Sequence, residues 1–229
     1  MSHVLIIGGT AGIGRELAAH YLRQGARVTI AGRDAERAAK IAAELDPALA
    51  TGLAADLGRP GELVAALQDV PPVDYLVLAG MERDLNTVAE YDVERALNLA
   101  TVKLVGYTTV VHALYRKMPS DGSVLLFGGM AKDAPYPGST TVSTVNAAMV
   151  GLVSTLSLEI APIRVNAIHA GPVEDSPFWV GKDAVLDPQR QRTLTGRLPR
   201  MADIVDGCVF LLENPAANNV NLSLDGGRR

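Results

Sequence analysis

Short apolar runs alternate with longer amphipathic stretches along almost the whole chain. Runs such as VDYLVLAG at 73–80 and SVLLFGG at 123–129 contain few polar residues, as is typical of strands buried on both faces of a parallel sheet. The apolar runs predict strands at 3–8, 26–31, 49–54, 73–79, 121–128, 163–169 and 220–224. The amphipathic stretches predict helices at 12–24, 34–45, 60–69, 88–118, 140–160 and 201–213.

This order of elements predicts the fold class. Repeated strand–helix units favour an α/β fold with a doubly wound, mostly parallel, seven-stranded sheet and helices on both faces. No repeat or linker divides the chain, which predicts a single domain over 1–229. Residues 171–200 break the pattern with four prolines among polar residues. Because long irregular segments often cover binding sites, we predict a substrate lid at about 172–200.

Composition and charge narrow the classes of function. The net charge is −4, and lysine and arginine form no basic stripe, which argues against a nucleic-acid partner. The single cysteine, Cys208, excludes an internal disulfide, and the four histidines lie far apart, so no metal site is predicted. The first apolar run is too short for a signal peptide or a membrane span. We therefore expect a cytoplasmic protein with no membrane partner.

The first 33 residues carry the strongest functional signal. A predicted strand runs into the turn GGTAGIG, and a predicted helix follows. Gly8 permits the tight turn, Gly12 lets the backbone approach a pyrophosphate, and Gly14 lets the helix pack close to the strand. The N–H groups at the start of a helix also attract phosphate. The segment predicts dinucleotide binding, with a purely structural turn as the alternative.

The end of the second predicted strand indicates which dinucleotide is bound. NAD sites usually have an acidic residue there, which accepts a hydrogen bond from the ribose 2′-hydroxyl. This chain has Gly32 and Arg33 instead, and a guanidinium suits a 2′-phosphate. The hydroxyl of Thr10 can add to that contact. We therefore predict NADP(H) as the cofactor, with a solvated arginine at a turn as the alternative; Asp34 is interpreted as a helix cap.

Six motifs in order resemble the short-chain dehydrogenase/reductase family. They are GGTAGIGRELA at 8–18, LAADL at 53–57, VLAG at 77–80, ERALNLATV at 94–102, the long stretch at 146–175 and LSLDGG at 222–227. The resemblance implies a Rossmann sheet, a nicotinamide coenzyme and a small-molecule substrate. It also implies that Asp56 holds the adenine amino group and that the PG segment at Gly171 contacts the nicotinamide. The predicted cofactor-binding residues are Gly8, Thr10, Gly12, Ile13, Gly14, Arg33, Asp56, Leu57, Ala79, Gly80, Gly171 and Val173.

The family's catalytic serine and its Tyr-x-x-x-Lys pair are missing where the resemblance places them. In the family the serine orients the carbonyl, the tyrosine exchanges the proton, and the lysine holds the ribose and lowers the pKa of the tyrosine. The corresponding positions here are Gly129, Val142 and Asn146, and no Tyr-x-x-x-Lys occurs anywhere in the chain. The Gly128-Gly129 pair is interpreted either as widening the pocket or as a close-packed strand end. Of the family's catalytic tetrad only Asn98 remains.

The catalytic residues therefore stay unknown, with three candidates. They are Asn98 in the fourth predicted helix, Tyr136 in the loop after the fifth strand and His169 at the end of the sixth strand. A histidine titrates near neutral pH without much tuning, but each of the three also fits a structural role. Weaker candidates, for which capping or solvation is the simpler interpretation, are Lys132, Asp133, Glu174 and Asp175. The hydroxyls of Thr140, Thr141 and Ser143 can hydrogen-bond a carbonyl but are poor acids.

Three hypotheses for function follow. The first is an NADP(H)-dependent oxidoreductase that reduces a carbonyl with a non-standard proton donor, since hydride chemistry belongs to the cofactor. The second is a non-redox enzyme on the same fold, such as a cyclase, dehydratase or isomerase. The third is a catalytically inactive cofactor-binding protein. The resemblance also implies a homodimer or homotetramer that pairs through the helices at 88–118 and 140–160.

Overall fold

The computed structural model describes residues 1–228, in which seven strands form one sheet. The strands are β1 (His3–Ile7), β2 (Arg27–Gly32), β3 (Ala50–Ala54), β4 (Tyr75–Leu78), β5 (Ser123–Phe127), β6 (Arg164–Ala170) and β7 (Asn221–Leu224). Their order is β3-β2-β1-β4-β5-β6-β7, and every neighbouring pair is parallel. The strand order reverses between β1 and β4, and ligands of open α/β sheets bind at the carboxyl ends of strands at such a point. The predicted fold class is confirmed.

Helices cover both faces of the sheet. They are α1 (Gly12–Arg23), α2 (Ala35–Leu45), α3 (Pro60–Ala66), α4 (Val93–Ala100), α5 (Tyr107–Leu114), α6 (Thr140–Glu159), α7 (Asp183–Gln191) and α8 (Met201–Glu213). Apolar side chains of α1, α2 and α8 form the core on one face. Those of α3, α5 and α6 form the core on the other face. The predicted cap of α2 is confirmed, since the Asp34 carboxylate accepts a hydrogen bond from the Arg37 N–H at 3.0 Å.

The predicted helix at 88–118 is interrupted. It begins only at Val93, because the Asp92 carboxylate accepts from the Arg95 N–H at 3.1 Å and so caps the first turn. A π-helical turn, Thr101–Gly106, separates α4 from α5. At the end of this turn a Cβ on Gly106 would lie only 2.5 Å from the Leu57 carbonyl oxygen, so the helix is pressed onto the loop after β3. Such turns often occur at functional sites.

The segment after β6 contains a helix that the sequence pattern did not predict. Residues 171–200 were expected to be irregular, but α7 lies within them. Pro188 is inside this helix, and Leu186 is the one residue of α7 that is buried. A single buried position gives too weak a periodicity to predict a helix.

One helix of the described chain, α6, is long and apolar enough to cross a membrane by length and composition alone. It packs against β6 and contributes Met149 and Val153 to the core. The core helix of a globular protein passes the same test, so this is weak support for a membrane span.

Candidate functional site

The glycine turn after β1 is built so tightly that side chains would not fit. Gly8 has a φ of +92°, and a Cβ there would lie 2.5 Å from the Gly80 nitrogen after β4. A Cβ on Gly14 would lie 2.3 Å from the Gly8 carbonyl oxygen. The first turn of α1 therefore rests directly on the ends of β1 and β4. Contacts this short require glycine at both positions.

The start of α1 has no side-chain cap. Ala11 occupies the N-cap position, so its side chain cannot accept from the first N–H groups of the helix. Uncapped N–H groups with a partial positive charge suit a diphosphate. Gly12 has a φ of +53°, and the nearest atom to a Cβ there is Pro177 Cδ at 3.8 Å. A cavity of about 390 Å³ opens beside this turn and is lined by Thr10, Gly12 and Pro177 among others.

The arginine after β2 has an acidic partner that the sequence did not suggest. Arg33 Nη1 lies 2.5 Å from Glu82 Oε1, and the Arg33 side chain is 69% exposed. Glu82 follows β4, so the ion pair spans from the end of β2 to the loop after β4. Thr10 packs on Gly32, with its Cγ2 3.0 Å from a Cβ built there. Arg33 and Thr10, the residues predicted to contact a 2′-phosphate, thus both lie at the end of β2, and the Glu82 carboxylate lies beside Arg33.

The remaining predicted cofactor residues line the same edge of the sheet. The Asp56 carboxylate accepts from the Gly58 N–H at 2.9 Å, and Leu57 Cδ1 lies 2.5 Å from a Cβ built on Gly80. Ala79 follows β4, and its N–H donates to the Ile7 carbonyl at 2.8 Å. After β6, the Gly171 N–H donates to Leu224 at 3.0 Å, while Ile13 and Val173 pack against the core. The carboxyl ends of β1 to β4 and β6 bring these residues together.

The two glycines after β5 give space to polar side chains. A Cβ on Gly128 would lie 2.2 Å from His169 Nδ1. A Cβ on Gly129 would lie 2.8 Å from Asn146 Nδ2. An imidazole and a carboxamide therefore fill the space beside the end of β5. Of the two interpretations of Gly128 and Gly129, the close-packed strand end agrees with this geometry.

His169 is fully buried behind Gly128. Its Nε2 lies 3.0 Å from Asn221 Oδ1, whereas its Nδ1 has no hydrogen-bond partner among the described residues. If the amide oxygen accepts, Nε2 carries the proton and Nδ1 keeps a free lone pair. Burial lowers the pKa of His169 and outweighs the hydrogen bond to Asn221, which raises it; Lys132 and Lys103 lower it further, and Asp133 raises it. The ring is therefore neutral at physiological pH.

A buried lysine, which sequence reasoning missed, lies at the carboxyl ends of β4 and β5. Lys103 is 4% exposed. Its Nζ donates to the Phe127 carbonyl at 2.5 Å and to the Tyr107 hydroxyl at 3.0 Å. The Tyr107 hydroxyl in turn donates to the Gly80 carbonyl at 2.8 Å. Burial lowers the pKa of Lys103 to about 7 and raises that of Tyr107.

A signal for Lys103 was present in the sequence. Leu99, Lys103 and Tyr107 are spaced by four residues, so they share one helical face, and both Leu99 and Tyr107 are buried. A lysine between two buried positions is unusual, because burying an ammonium is costly unless it is paired.

The other catalytic candidates lie further out. Asn98 is exposed, and its Oδ1 lies 3.4 Å from a Cβ built on Gly58. Tyr136 is 45% exposed on the loop before α6.

Among the weaker candidates, Lys132 forms an ion pair with Asp133, and its side chain is only 12% exposed. At the start of α6, the Ser143 and Ser139 hydroxyls are 2.7 Å apart. Thr140 is exposed, and the buried Thr141 hydroxyl has no partner among the described residues.

The segment after β6 crosses the edge of the sheet from the glycine turn to the loop after β4. Pro177 lies against Gly12. The Phe178 ring lies between the Arg83 guanidinium, 3.2 Å from its centroid, and the Lys182 ammonium, 3.4 Å from it.

Ion pairs hold the base of this segment. Glu174 pairs with Arg200 at 3.0 Å and with Arg190 at 3.3 Å. These hydrogen bonds lower the pKa of Glu174, with Arg200 the larger cause. The Asp175 carboxylate accepts from the Met201 N–H at 2.8 Å. Both acidic candidates are thus engaged with neighbouring residues. In residues 1–228, no group of three or more His, Cys, Asp and Glu side chains could hold a metal.

The fold and this edge define a dinucleotide-binding α/β protein. A family model for short chain dehydrogenases matches residues 2–184. The chain therefore belongs to the short-chain dehydrogenase/reductase family, whose members use a nicotinamide coenzyme.

Two curated relatives and one solved structure illustrate the similarity. A sorbitol dehydrogenase from Cereibacter sphaeroides is 31% identical over 247 residues, covering 97% of this chain and 95% of the relative. A carbonyl reductase [NADPH] 2 from Sus scrofa is 29% identical over 235 residues, covering 96% and 92%. The structure of MalC reductase/Diels-Alderase from Malbranchea aurantiaca superposes with a TM-score of 0.88 at 24% identity, covering 99% of this chain and 95% of that one. This last similarity shows the fold alone.

Proposed function

We propose that the chain is an NADP(H)-dependent oxidoreductase that reduces a carbonyl with a proton donor other than the family's tyrosine. The observation that carries the proposal is the close packing of Gly8, Gly14 and Gly80 beneath an uncapped helix N-terminus. That cradle leaves backbone N–H groups for a diphosphate and no space for side chains. The twelve cofactor residues predicted from sequence are the ones that would hold the coenzyme. When bound, the coenzyme supplies the hydride.

The preference for NADP(H) over NAD(H) rests on Arg33 and Thr10. A guanidinium and a hydroxyl beside the end of β2 suit a 2′-phosphate. The name of the porcine relative, a carbonyl reductase [NADPH], agrees with this preference. Glu82 opposes it, because its carboxylate already pairs with Arg33 and would repel a phosphate. Binding of NADP(H) would therefore require Glu82 to turn away from Arg33.

The proton donor is the unusual part of the proposal. We infer that Gly129, Val142 and Asn146 occupy the positions of the family's serine, tyrosine and lysine, so that none of the three residues is retained. The candidates Asn98, Tyr136 and His169 remain proposals. His169 is buried behind Gly128 and does not reach the open side of the site, so it would act through another group.

The surroundings of the site complete the proposal. We propose that residues 172–200 form a substrate lid on a single domain of 1–229, since this segment already contacts Gly12 and Arg83. We also propose a cytoplasmic homodimer or homotetramer that acts on a small-molecule substrate. Exposed apolar side chains lie on the helices expected to pair, namely Val93, Leu97, Val105, Val150 and Leu158. A monomer in light scattering at micromolar concentration would contradict the oligomer.

The direct test is an anaerobic assay of NADPH oxidation against a panel of aldehydes, ketones and quinones. We expect carbonyl-dependent loss of absorbance at the NADPH band for at least one substrate. Tight NADPH binding without any oxidation above background would contradict the redox proposal. It would leave the cofactor site in place.

A non-redox activity is the second candidate. It is favoured by the inferred absence of the family's serine, tyrosine and lysine, and this chain shares its fold with MalC, whose name, reductase/Diels-Alderase, includes a non-redox reaction. Turnover of a substrate with no net change in coenzyme absorbance would support it.

A further inference from the structure

We propose that Lys103 and Tyr107 form the proton-donating unit of this site, with the Lys103 ammonium as the donor and Tyr107 as the residue that positions it. The pair reads Lys-x-x-x-Tyr along the helical segment between β4 and β5, on a different helix from the Tyr-x-x-x-Lys of the family and in the reverse order. The inference rests on the proposed carbonyl reduction and names the residue that supplies its proton.

The position of the ammonium is the first argument. Lys103 Nζ joins the ends of two adjacent strands, directly through the Phe127 carbonyl of β5 and through Tyr107 to the Gly80 carbonyl after β4. Gly80 also packs against Gly8 in the proposed cofactor cradle. Phe127 immediately precedes Gly128-Gly129. The ammonium therefore lies between the cofactor half of the site and the position where the resemblance places the serine.

The charge of the ammonium is the second argument. A buried cation normally has a carboxylate partner, but the two acceptors found for Lys103 within residues 1–228 are neutral oxygens. The groups that contact it are Tyr107 from its own helix and the Phe127 carbonyl from β5. The charges of Lys103, Lys132 and Asp133 all act on His169 of β6. A desolvated positive charge stabilises negative charge that develops on a substrate oxygen. Below the Lys103 pKa of about 7, the site thus holds a cation that can stabilise an alkoxide.

The reaction balances with this residue as the donor. With a bound coenzyme to supply hydride, the new C–H bond would form as the carbonyl π pair moves to oxygen. Because Lys103 is only 4% exposed, the oxygen then takes its proton through one water molecule from the N–H that neither Phe127 nor Tyr107 accepts, leaving a neutral amine. The substrate gains two electrons and the coenzyme loses them; water later returns the proton to the amine. A pKa near 7 allows the group to exchange this proton at physiological pH.

The competing interpretation is a lysine that only ties the ends of β4 and β5 together. The two interpretations differ in pH behaviour, because a structural tie does not set the pH dependence of turnover. Lys117 provides a matched control. Its ammonium is also held by backbone carbonyls, those of Leu67, Gln68 and Val70, but away from the carboxyl edge of the sheet.

The experiment combines a spectroscopic readout with kinetics on Lys103→Met, Tyr107→Phe and Lys117→Met. The chain has five lysines, so lysine labelled with carbon-13 at Cε gives few NMR signals, which the variants assign. In the coenzyme-free protein we expect the Lys103 signal to titrate near pH 7. In Tyr107→Phe the midpoint moves lower, because the hydroxyl that accepts from the ammonium is gone.

The kinetic expectations follow from the same titration. The kcat for carbonyl reduction falls as the pH rises through the Lys103 midpoint, and it falls at lower pH in Tyr107→Phe. We expect Lys103→Met to lose about 10²–10³-fold in kcat. Its NADPH affinity stays within about threefold of the wild-type value, a difference of about 0.6 kcal/mol. Lys117→Met keeps its kcat and pH profile.

The outcomes separate this inference from the proposed function. If Lys103→Met keeps kcat and the pH profile, the Lys103 inference is overturned while the reductase stands. If the wild-type protein binds no coenzyme, the proposed function and the proton donor fall together, although the NMR titration still reports the lysine. If Lys103→Met does not fold, Tyr107→Phe decides: a kinetic pH profile that shifts together with the NMR midpoint supports the inference, and an unchanged kinetic profile overturns it.

Discussion

The carboxyl edge of the sheet is built by different means in its two halves. At β1, β2 and β4, the packing centres on backbone: a Cβ on Gly8 would meet the Gly80 nitrogen and one on Gly14 would meet the Gly8 carbonyl oxygen, while the side chains of Leu57 and Thr10 lie against Gly80 and Gly32. At β5 and β6, polar side chains fill it, with His169 and Asn146 against Gly128 and Gly129. The first half offers backbone N–H groups that suit a diphosphate, whereas the second half offers side chains that can exchange protons. The comparison suggests that cofactor binding and proton chemistry can diverge separately on one fold.

The largest expected effect concerns the side-chain half of the carboxyl edge, at β5 and β6, and the charge on Lys103. Burial lowers its pKa to about 7, so the folded protein loses this proton near pH 7, whereas the unfolded chain keeps it to about pH 10. Between these values the unfolded state binds more protons, and this group makes the free energy of unfolding rise with pH. We expect the difference in that free energy between wild type and Lys103→Met to change on the order of 4 kcal/mol from pH 7 to 10. Urea denaturation at several pH values measures it, and parallel pH curves for the two proteins would show that the lysine titrates normally.

The next effect tests the backbone half of the carboxyl edge, at β1, β2 and β4. Gly8→Ala places a Cβ 2.5 Å from the Gly80 nitrogen at a φ of +92°, and overpacking costs about 1–3 kcal/mol. We expect at least that loss of stability, together with loss of measurable coenzyme binding. Gly25→Ala is the matched control, because Gly25 also has a positive φ but nothing within 4 Å of a Cβ. Similar losses in the two variants would assign the effect to backbone strain and remove the argument from close packing.

Much of the backbone half was predictable from sequence because its determinants are local. Gly8 to Gly14 form one continuous segment whose spacing reports the turn directly, and the strand pattern places its partner VLAG. The side-chain half was not predictable from sequence, because Lys103, Phe127 and His169 come from three elements far apart in the chain. The π-helical turn and α7 were also missed, as each depends on tertiary contacts, such as that of Gly106 with Leu57. The Arg33–Glu82 pair likewise joins positions 49 residues apart.

A smaller effect compares the two glycines after β5. A Cβ on Gly128 would meet His169 Nδ1 at 2.2 Å, in a ring held by Asn221, whereas one on Gly129 would meet the movable end of Asn146 at 2.8 Å. We expect Gly128→Ala to destabilise by about 1–3 kcal/mol and Gly129→Ala by less. Thermal unfolding measures both. Adding His169→Ala to Gly128→Ala relieves the clash, so the double variant loses less than the sum of the single ones; simple additivity would argue against the contact.

The smallest effect sharpens the specificity of the backbone half. Arg33→Gln removes the proposed contact to a 2′-phosphate, and we expect about tenfold weaker NADPH binding, which is about 1.4 kcal/mol, with NADH binding unchanged. Glu82→Gln removes the competing carboxylate and tightens NADPH binding several-fold. Arg23→Gln, at the far end of α1, is the control for loss of one positive charge. Equal effects of Arg33→Gln on both coenzymes would point to stacking on adenine instead of phosphate recognition.

Calorimetric titration of the wild-type protein with NADPH and with NADH tests the central claim most directly. The account predicts saturable binding of both coenzymes at one site per chain, with NADPH bound more tightly, and loss of that binding in Gly8→Ala. Absence of binding heat and of any stabilisation by either coenzyme would contradict it, because the glycine cradle at the start of α1 would then serve the fold alone.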